Sequence, residues 1–137
     1  MIWWRRIQCG ATDAHPVPGE DLAGYLHAFV RELTFGDDDP ADVIDRYHAP
    51  GFEHLNDGIV LDRTKLAAHA KPARKNVVAC ELDVHETLRD GERVAARYTL
   101  HADMRAGLRL SNEIFMIGTL APDGRLSRIV STSRQLK

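Results

Sequence analysis

Four polar side chains in this sequence have types that suit acid–base chemistry on a carbonyl compound. His54 carries an imidazole whose ordinary pKa lies near neutrality, so it can take up or release a proton at physiological pH. Tyr25 and Tyr98 fall on apolar faces, from which a hydroxyl could donate a hydrogen bond to a developing oxyanion. Asn112 shares its register with apolar residues, and a buried amide needs partners, one of which could be a ligand.

These residues also have structural explanations, which the sequence leaves open. A tyrosine on an apolar face is often a core residue whose hydroxyl reaches the edge of the core. His54 could be hydrogen-bonded to a backbone carbonyl or exposed. Asp57 is the centre of an Asn-Asp-Gly turn, and turn chemistry alone explains it. His69 lies on a predicted helix whose phase does not fix its direction, and Tyr47, beside His48, could line a pocket.

The pattern of residues 77–134, in the second half of the chain, predicts a four-stranded antiparallel meander. Apolar and polar side chains alternate along it, which is the period of a half-buried strand. Turn residues separate the runs at 89–92, 105–107 and 122–124, and Gly91 is free to take a positive φ. One face of this sheet is apolar and needs a cover, which the earlier part of the chain must provide.

Three predicted helices form that cover. An apolar stripe at helical spacing defines the first helix, with Gly36 ending it; the stripe consists of Leu22, Tyr25, Leu26, Phe29 and Leu33. A second helix covers residues 40–48, with Asp39 as its cap. A small hairpin turns at residues 56–58, and a third helix begins after Asp62 and ends or kinks at Pro72.

Composition narrows the function classes. The net charge of -2 argues against a general nucleic-acid or anionic-membrane surface. No run approaches the roughly 18 apolar residues of a membrane span. Cys9 and Cys80 are too few for a disulfide framework and fit a reducing compartment, so we expect a cytoplasmic protein. We expect residues 1–19 to form an N-terminal arm, in which Trp3 and Trp4 either fold back onto their own subunit or dock on a partner subunit. We expect residues 20–137 to form one domain.

The sequence predicts neither a metal nor a cofactor. The acidic run at residues 37–42 is explained as a helix start and has no calcium-loop spacing. Asp83, His85, His101 and Asp103 share the polar face of the predicted sheet, where a metal site could be proposed. Cross-strand ion pairs explain the same residues, and no ligand spacing is diagnostic.

The chain resembles the nuclear transport factor 2-like superfamily, and within it the SnoaL-like and ketosteroid-isomerase-like branch. The resemblance rests on residues 47–54, on residues 58–69, and on residues 115–129 with the turn Asp123-Gly124-Arg125-Leu126. It implies an α+β cone in which one strongly curved, mainly antiparallel sheet wraps around three N-terminal helices, leaving an apolar pocket at the wide end. It also implies a homodimer that pairs through the outer face of the sheet.

The resemblance further implies where a site would lie. His54 would look across the mouth of the pocket, and Asp57 is placed similarly to the carboxylate base of ketosteroid isomerases. With Tyr98, these are the predicted catalytic residues. The predicted ligand-binding residues are the polar or aromatic side chains Tyr25, Tyr47, His69, Asn112, Phe29 and Phe52, together with Leu100 and Ile114.

The last strand departs from the family pattern. Cyclase-like members often carry an acidic catalytic residue there, whereas residues 127–134 contain no Asp or Glu. The paired Asp-Arg-Asp arrangement of the epoxide hydrolases is not recognisable either. We therefore predict a protein that binds a small hydrophobic molecule, with acid–base chemistry of the isomerase, cyclase or hydratase kind as one hypothesis. The alternative is a non-catalytic dimeric module that binds a ligand or a protein.

Overall fold

The computed structural model describes residues 15–137, in which three helices cover one face of a six-stranded sheet. Most of the predicted arm, including Trp3, Trp4 and Cys9, lies outside the described residues. The helices are α1 (Leu22–Phe35), α2 (Pro40–Tyr47) and α3 (Arg63–Asn76). The strands are β1 (His48–Asn56), β2 (Ile59–Asp62), β3 (Val77–Asp90), β4 (Arg93–Met104), β5 (Arg109–Leu120) and β6 (Leu126–Gln135).

Each helix begins at an aspartate whose carboxylate accepts a backbone N–H of the first turn. Asp21 accepts from Gly24, Asp39 from Ala41 and Asp62 from Lys65, each at 2.9 Å. These bonds satisfy donors that have no partner inside the helix, and they confirm the caps predicted at residues 39 and 62.

Pro72 lies inside the third helix, which continues to Asn76, so of the two predicted alternatives, an end or a kink at this proline, the end is wrong. Pro72 is exposed, so water can satisfy the carbonyl that loses its helical partner there. Arg74 lies beyond the proline and ties α3 to α1. Its guanidinium donates to the carbonyls of Leu33 at 2.9 Å and Glu32 at 3.1 Å.

The sheet has the strand order β2-β1-β6-β5-β4-β3. Strands β3 to β6 form the predicted antiparallel meander, and β1 and β2 form the predicted hairpin. At the tip of that hairpin Asp57 and Gly58 both have positive φ, as its tight turn requires. Strands β1 and β6 pair in parallel, which joins the hairpin to the meander. The sheet stays open, with β2 and β3 as its edges.

The inner face of the sheet, meaning the face toward the helices, forms the core. Buried inner residues include Cys80 and Leu82 on β3, Val94 and Ala96 on β4, and Met116 on β5. They pack with α1, in which Leu22, Tyr25, Leu26 and Ala28 are buried. None of the helices in residues 15–137 has the length and apolar character that a membrane span needs.

Candidate functional site

Two polar side chains lie next to each other on the inner face of the sheet. Tyr98 on β4 pairs with Ile114 on β5, and Asn112 on β5 pairs with Leu100 on β4. Tyr98 and Asn112 are therefore diagonal neighbours, with Cα atoms roughly 7–8 Å apart. Leu100 and Ile114 are both half-buried and supply an apolar setting for the two polar groups.

Neither polar group is used by the rest of the described protein. Within residues 15–137, the Tyr98 hydroxyl and the Asn112 amide have no hydrogen-bond partner. Burial raises the pKa of Tyr98 to about 12, so its hydroxyl stays protonated at neutral pH and remains a donor. Together they can offer hydrogen bonds to one oxygen of a bound molecule.

A second polar group on the inner face centres on His54 of β1. Its Nε2 lies 2.7 Å from the hydroxyl of Ser131 on β6, and that hydroxyl donates to Oδ1 of Asn56 at 3.0 Å. The pairing of β1 with β6 creates this contact, because Asn56 and Ser131 are direct partners in the ladder. Burial lowers the pKa of His54, so its ring is neutral at pH 7. Strands β6 and β5 separate His54 from Tyr98.

Four predicted ligand-binding residues surround a histidine that the sequence analysis did not select. His48 is buried, and its ring lies 4.9 Å from Phe29 and 4.1 Å from Phe52, measured between ring centroids. Tyr25 stacks on Phe29 at 5.6 Å, and Tyr47 packs edge-on against Tyr25 at 5.4 Å. This aromatic cluster fills the space between α1, α2 and the start of β1.

The polar atoms inside this cluster are already satisfied. Nδ1 of His48 lies 2.7 Å from the carbonyl of Ile44, and Nε2 lies 2.7 Å from the hydroxyl of Tyr25. Burial lowers the pKa of His48 to about 4. The neutral ring must donate from Nδ1 to the carbonyl, so Nε2 accepts the Tyr25 hydroxyl. Burial also raises the pKa of Tyr25 well above its usual value, so this hydroxyl keeps its proton.

The hydroxyl of Tyr47 has a charged partner. It donates to Oε2 of Glu32 at 2.5 Å, and Arg46 forms an ion pair with the same carboxylate. Burial, followed by the hydrogen bond to Glu32, raises the pKa of Tyr47. Tyr47 is thus bound at both its ring and its hydroxyl.

Asp57 is exposed at the tip of the β1–β2 hairpin. Its carboxylate accepts three hydrogen bonds from β6: from the Thr132 hydroxyl at 2.9 Å, the Ser133 amide at 2.9 Å and the Ser133 hydroxyl at 2.6 Å. The bonds from Ser133 and then Thr132 lower the pKa of this carboxylate. A lowered pKa makes a weaker base, so Asp57 is better suited to holding the hairpin against β6.

His69 is exposed on α3, away from these groups. Ser131, Asn56 and His48 are the residues that sequence reasoning missed. The register argument that selected Asn112 applies equally to Ser131, which alternates with exposed residues on β6 and faces inward. No comparable local signal marks His48, because its partners lie on α1 and α2.

The outer face of the sheet carries cross-strand pairs between polar residues. His85 lies 2.7 Å from the Thr99 hydroxyl, and His101 lies 2.6 Å from the Ser111 hydroxyl. Arg109 forms an ion pair with Asp103 at 3.4 Å. Within residues 15–137, no group of three His, Cys, Asp or Glu side chains has the geometry of a metal site.

Further along, the outer face holds an apolar groove of about 410 Å³. Its apolar walls are Leu88, Phe115, Ile117 and Val130, which are between 39% and 69% exposed. Arg97 lies beside them, paired with Glu86 at 2.8 Å and with Glu113 at 3.1 Å. Ala96, Met116 and Ser131 also line the groove, although the strand register places them on the inner face.

Structure comparisons identify the fold. A candidate SnoaL-like polyketide cyclase from Shewanella denitrificans superposes with a TM-score of 0.62 at 11% identity, covering 77% of this chain and 85% of that chain. An LEH-like epoxide hydrolase from M. tuberculosis gives 0.61 at 19% identity, covering 80% and 79%. An NTF2-like protein of unknown function from Exiguobacterium gives 0.62 at 11% identity, covering 77% and 91%.

Sequence comparisons add nothing to this result, since no family model and no curated protein matches the chain. The structural matches confirm the predicted α+β cone fold, which this chain shares with SnoaL-like, ketosteroid-isomerase-like and NTF2-like proteins. At these identities the likeness establishes the fold and not an activity.

Proposed function

We propose that the protein binds a small, largely apolar molecule carrying a carbonyl oxygen between the inner face of the sheet and the helices. The observation that carries this proposal is the unpaired Tyr98 hydroxyl beside the unpaired Asn112 amide. Neither group is among the fully buried unpaired polar atoms of residues 15–137, so both remain accessible to a bound molecule. A carbonyl oxygen can accept a hydrogen bond from each of them without displacing a partner inside the protein.

His54 supplies the acid–base part of the proposal. Its lowered pKa leaves a neutral imidazole at pH 7. In a conjugated molecule that reaches from β4 and β5 to β1, this imidazole can remove a proton from a remote carbon that the polarised carbonyl makes acidic through the conjugation. The Tyr98 hydroxyl and the Asn112 amide would then stabilise the oxyanion. This assignment yields isomerase, cyclase or hydratase chemistry that needs no cofactor, and Asp57 serves as a hairpin anchor rather than as the base.

Binding is tested by a thermal-shift screen against steroids, aromatic polyketides, terpene epoxides and fatty acids. A ligand that binds the native state at a hundred times its Kd stabilises it by about 2.7 kcal/mol. Tyr98→Phe and Asn112→Leu each remove one hydrogen bond, worth about 0.5–1.5 kcal/mol, so each should weaken binding by about twofold to tenfold. Ser111→Ala, next to Asn112 but on the outer face, should bind as the wild type does. Equal affinity in all four proteins would refute the site.

Catalysis is tested on any ligand found in this way. Loss of a general base typically lowers the rate by about 10²–10⁴-fold, which is the loss expected for His54→Gln while binding persists. Mass spectrometry of the recovered ligand decides the question. A ligand recovered unchanged from the wild type leaves a binding protein and removes the enzymatic assignment.

A second proposal concerns the outer face, where the apolar groove supports pairing with a second copy of the chain. Four partly exposed apolar side chains flanked by the charged pairs of Arg97 match the apolar centre and polar rim of a protein interface. A two-fold axis that lies between two sheets and runs parallel to them would bring this surface against itself.

Sedimentation equilibrium at micromolar concentration tests the dimer. Ile117→Lys places a charge in the groove and should give monomers. Leu108→Lys is the matched control, because Leu108 is 58% exposed and belongs to none of the groove walls. A monomeric wild type, or equal dissociation in both variants, would overturn the proposal.

A further inference from the structure

Two residues, Ser131 and Asn56, determine which nitrogen of the His54 ring carries the proton. The Ser131 hydroxyl has a single hydrogen, which it donates to Oδ1 of Asn56 at 3.0 Å. The Ser131 hydroxyl can therefore only accept a hydrogen bond from His54, whose Nε2 lies 2.7 Å away. A neutral imidazole carries one ring proton, so a ring that donates from Nε2 has its lone pair on Nδ1.

Nδ1 of His54 is also the ring nitrogen without a partner. No residue within 15–137 forms a hydrogen bond to it, and it is not among the fully buried unpaired atoms. A basic nitrogen that is accessible and unpaired can accept a proton from a bound molecule. The nitrogen that faces Ser131 cannot do so while it donates.

We propose that Asn56 and Ser131 are positioning residues that hold His54 in the tautomer protonated on Nε2, leaving Nδ1 as the basic atom of the site. The catalytic meaning of this inference rests on the proposed function, whereas the tautomer itself is a property of the ligand-free protein. The hydroxyl acts as an acceptor here, so Ser131 is not a nucleophile activated by His54. The amide oxygen of Asn56 directs the hydroxyl and thereby the ring.

Long-range proton–nitrogen correlation NMR of the protein with ¹⁵N-labelled histidine tests the inference without any ligand. The wild type should show a protonated Nε2 and an unprotonated Nδ1 on His54. Asn56→Ala removes the acceptor of the Ser131 hydroxyl, which then turns to Nε2 as its nearest acceptor. The ring proton should therefore move toward Nδ1. Ser131→Ala should lose the hydrogen-bonded Nε2–H signal, and Ser131→Thr should restore it.

Ser133→Ala is the matched control, because Ser133 lies two residues along the same strand but donates to Asp57 instead of contacting His54. It should keep the wild-type pattern. A wild-type ring protonated on Nδ1 would overturn the inference and make Ser131 the activated hydroxyl. An unchanged ring in Asn56→Ala, or a changed ring in Ser133→Ala, would also contradict it.

The outcomes separate this inference from the proposed function. A ligand found in the thermal-shift screen together with the opposite tautomer retains the binding site and rejects the positioning role. If His54 shows the expected tautomer but no compound in the screen binds, the hydrogen bonds that link Asn56, Ser131 and His54 are supported and the proposed function is rejected.

Discussion

The buried His48 makes a specific prediction about acid stability. In the folded protein its pKa is lowered to about 4 by burial, and in the unfolded chain it takes the ordinary value of 6.5. Above pH 6.5 the ring is neutral in both states. Between pH 6.5 and 4 the unfolded chain binds a proton that the folded protein does not, so the free energy of unfolding falls as the pH falls. Below pH 4 both states are protonated and this contribution is constant.

The size of the effect follows from the two pKa values. One pKa unit corresponds to about 1.36 kcal/mol, so the burial of His48 removes roughly 3 kcal/mol of stability between pH 6.5 and 4. That is a large part of the about 5–15 kcal/mol that stabilises a typical domain. His54 and His27 also have pKa values lowered by burial, so they contribute in the same direction.

Urea unfolding followed by far-ultraviolet circular dichroism, at half-unit steps from pH 4 to 7.5, isolates the contribution of His48. His48→Gln cannot titrate and should flatten the pH dependence by roughly 3 kcal/mol across this window, whatever its absolute stability. His69→Gln removes an exposed histidine and should keep the wild-type curve. Parallel curves for His48→Gln and the wild type would refute the reasoning.

Three further substitutions test the packing and the helix ends, each by urea unfolding at neutral pH. Gly118→Ala places a Cβ 2.7 Å from a methyl group of Leu126, so it should lower the free energy of unfolding by about 1–3 kcal/mol. Unchanged stability would show that the Leu126 side chain can move away. Pro72→Ala restores a helical hydrogen bond in α3 and should raise stability by about 2 kcal/mol after the unfolded-state effect; a decrease would contradict this. Asp39→Ala removes the cap of α2 and should cost about 1 kcal/mol, whereas the nearby Asp37→Ala should cost little.

The fold was predictable because its elements are marked by local patterns. The apolar stripe of α1 and the alternation along β3 to β6 each report which side of an element is buried. The structure confirms both except at the start of β3, where a register shift after Val77 leaves Val78, predicted to face inward, 51% exposed. The turn at Asp57 and Gly58 was likewise marked by its residue types. Asn112 was placed inward by the same alternation, and the structure puts it on the inner face beside Tyr98.

The connections inside the candidate site were not predictable in this way. His54 and Ser131 are 77 residues apart, and their contact depends on the parallel pairing of β1 with β6. Alternation reports the face of a strand but not its neighbour, and a parallel pair leaves no turn to reveal it. The hydrogen-bond partner of the Tyr25 hydroxyl could not be predicted either, because this partner, His48, lies 23 residues away on another element.

The last strand offers a physical account of how this chain departs from the cyclase-like pattern that its sequence resembles. No Asp or Glu lies in residues 127–134, where that pattern would place an acidic residue. The inward positions hold Ser131 and Ser133, and each binds a residue of the β1–β2 hairpin: Ser131 contacts His54 and Asn56, and Ser133 donates to Asp57. Under the proposed function the strand therefore orients a base instead of providing one, and the proton transfer moves to His54 on β1. Chemistry in this chain would then depend on the β1–β6 pairing, so substitutions that loosen the hairpin should reduce turnover before they unfold the protein.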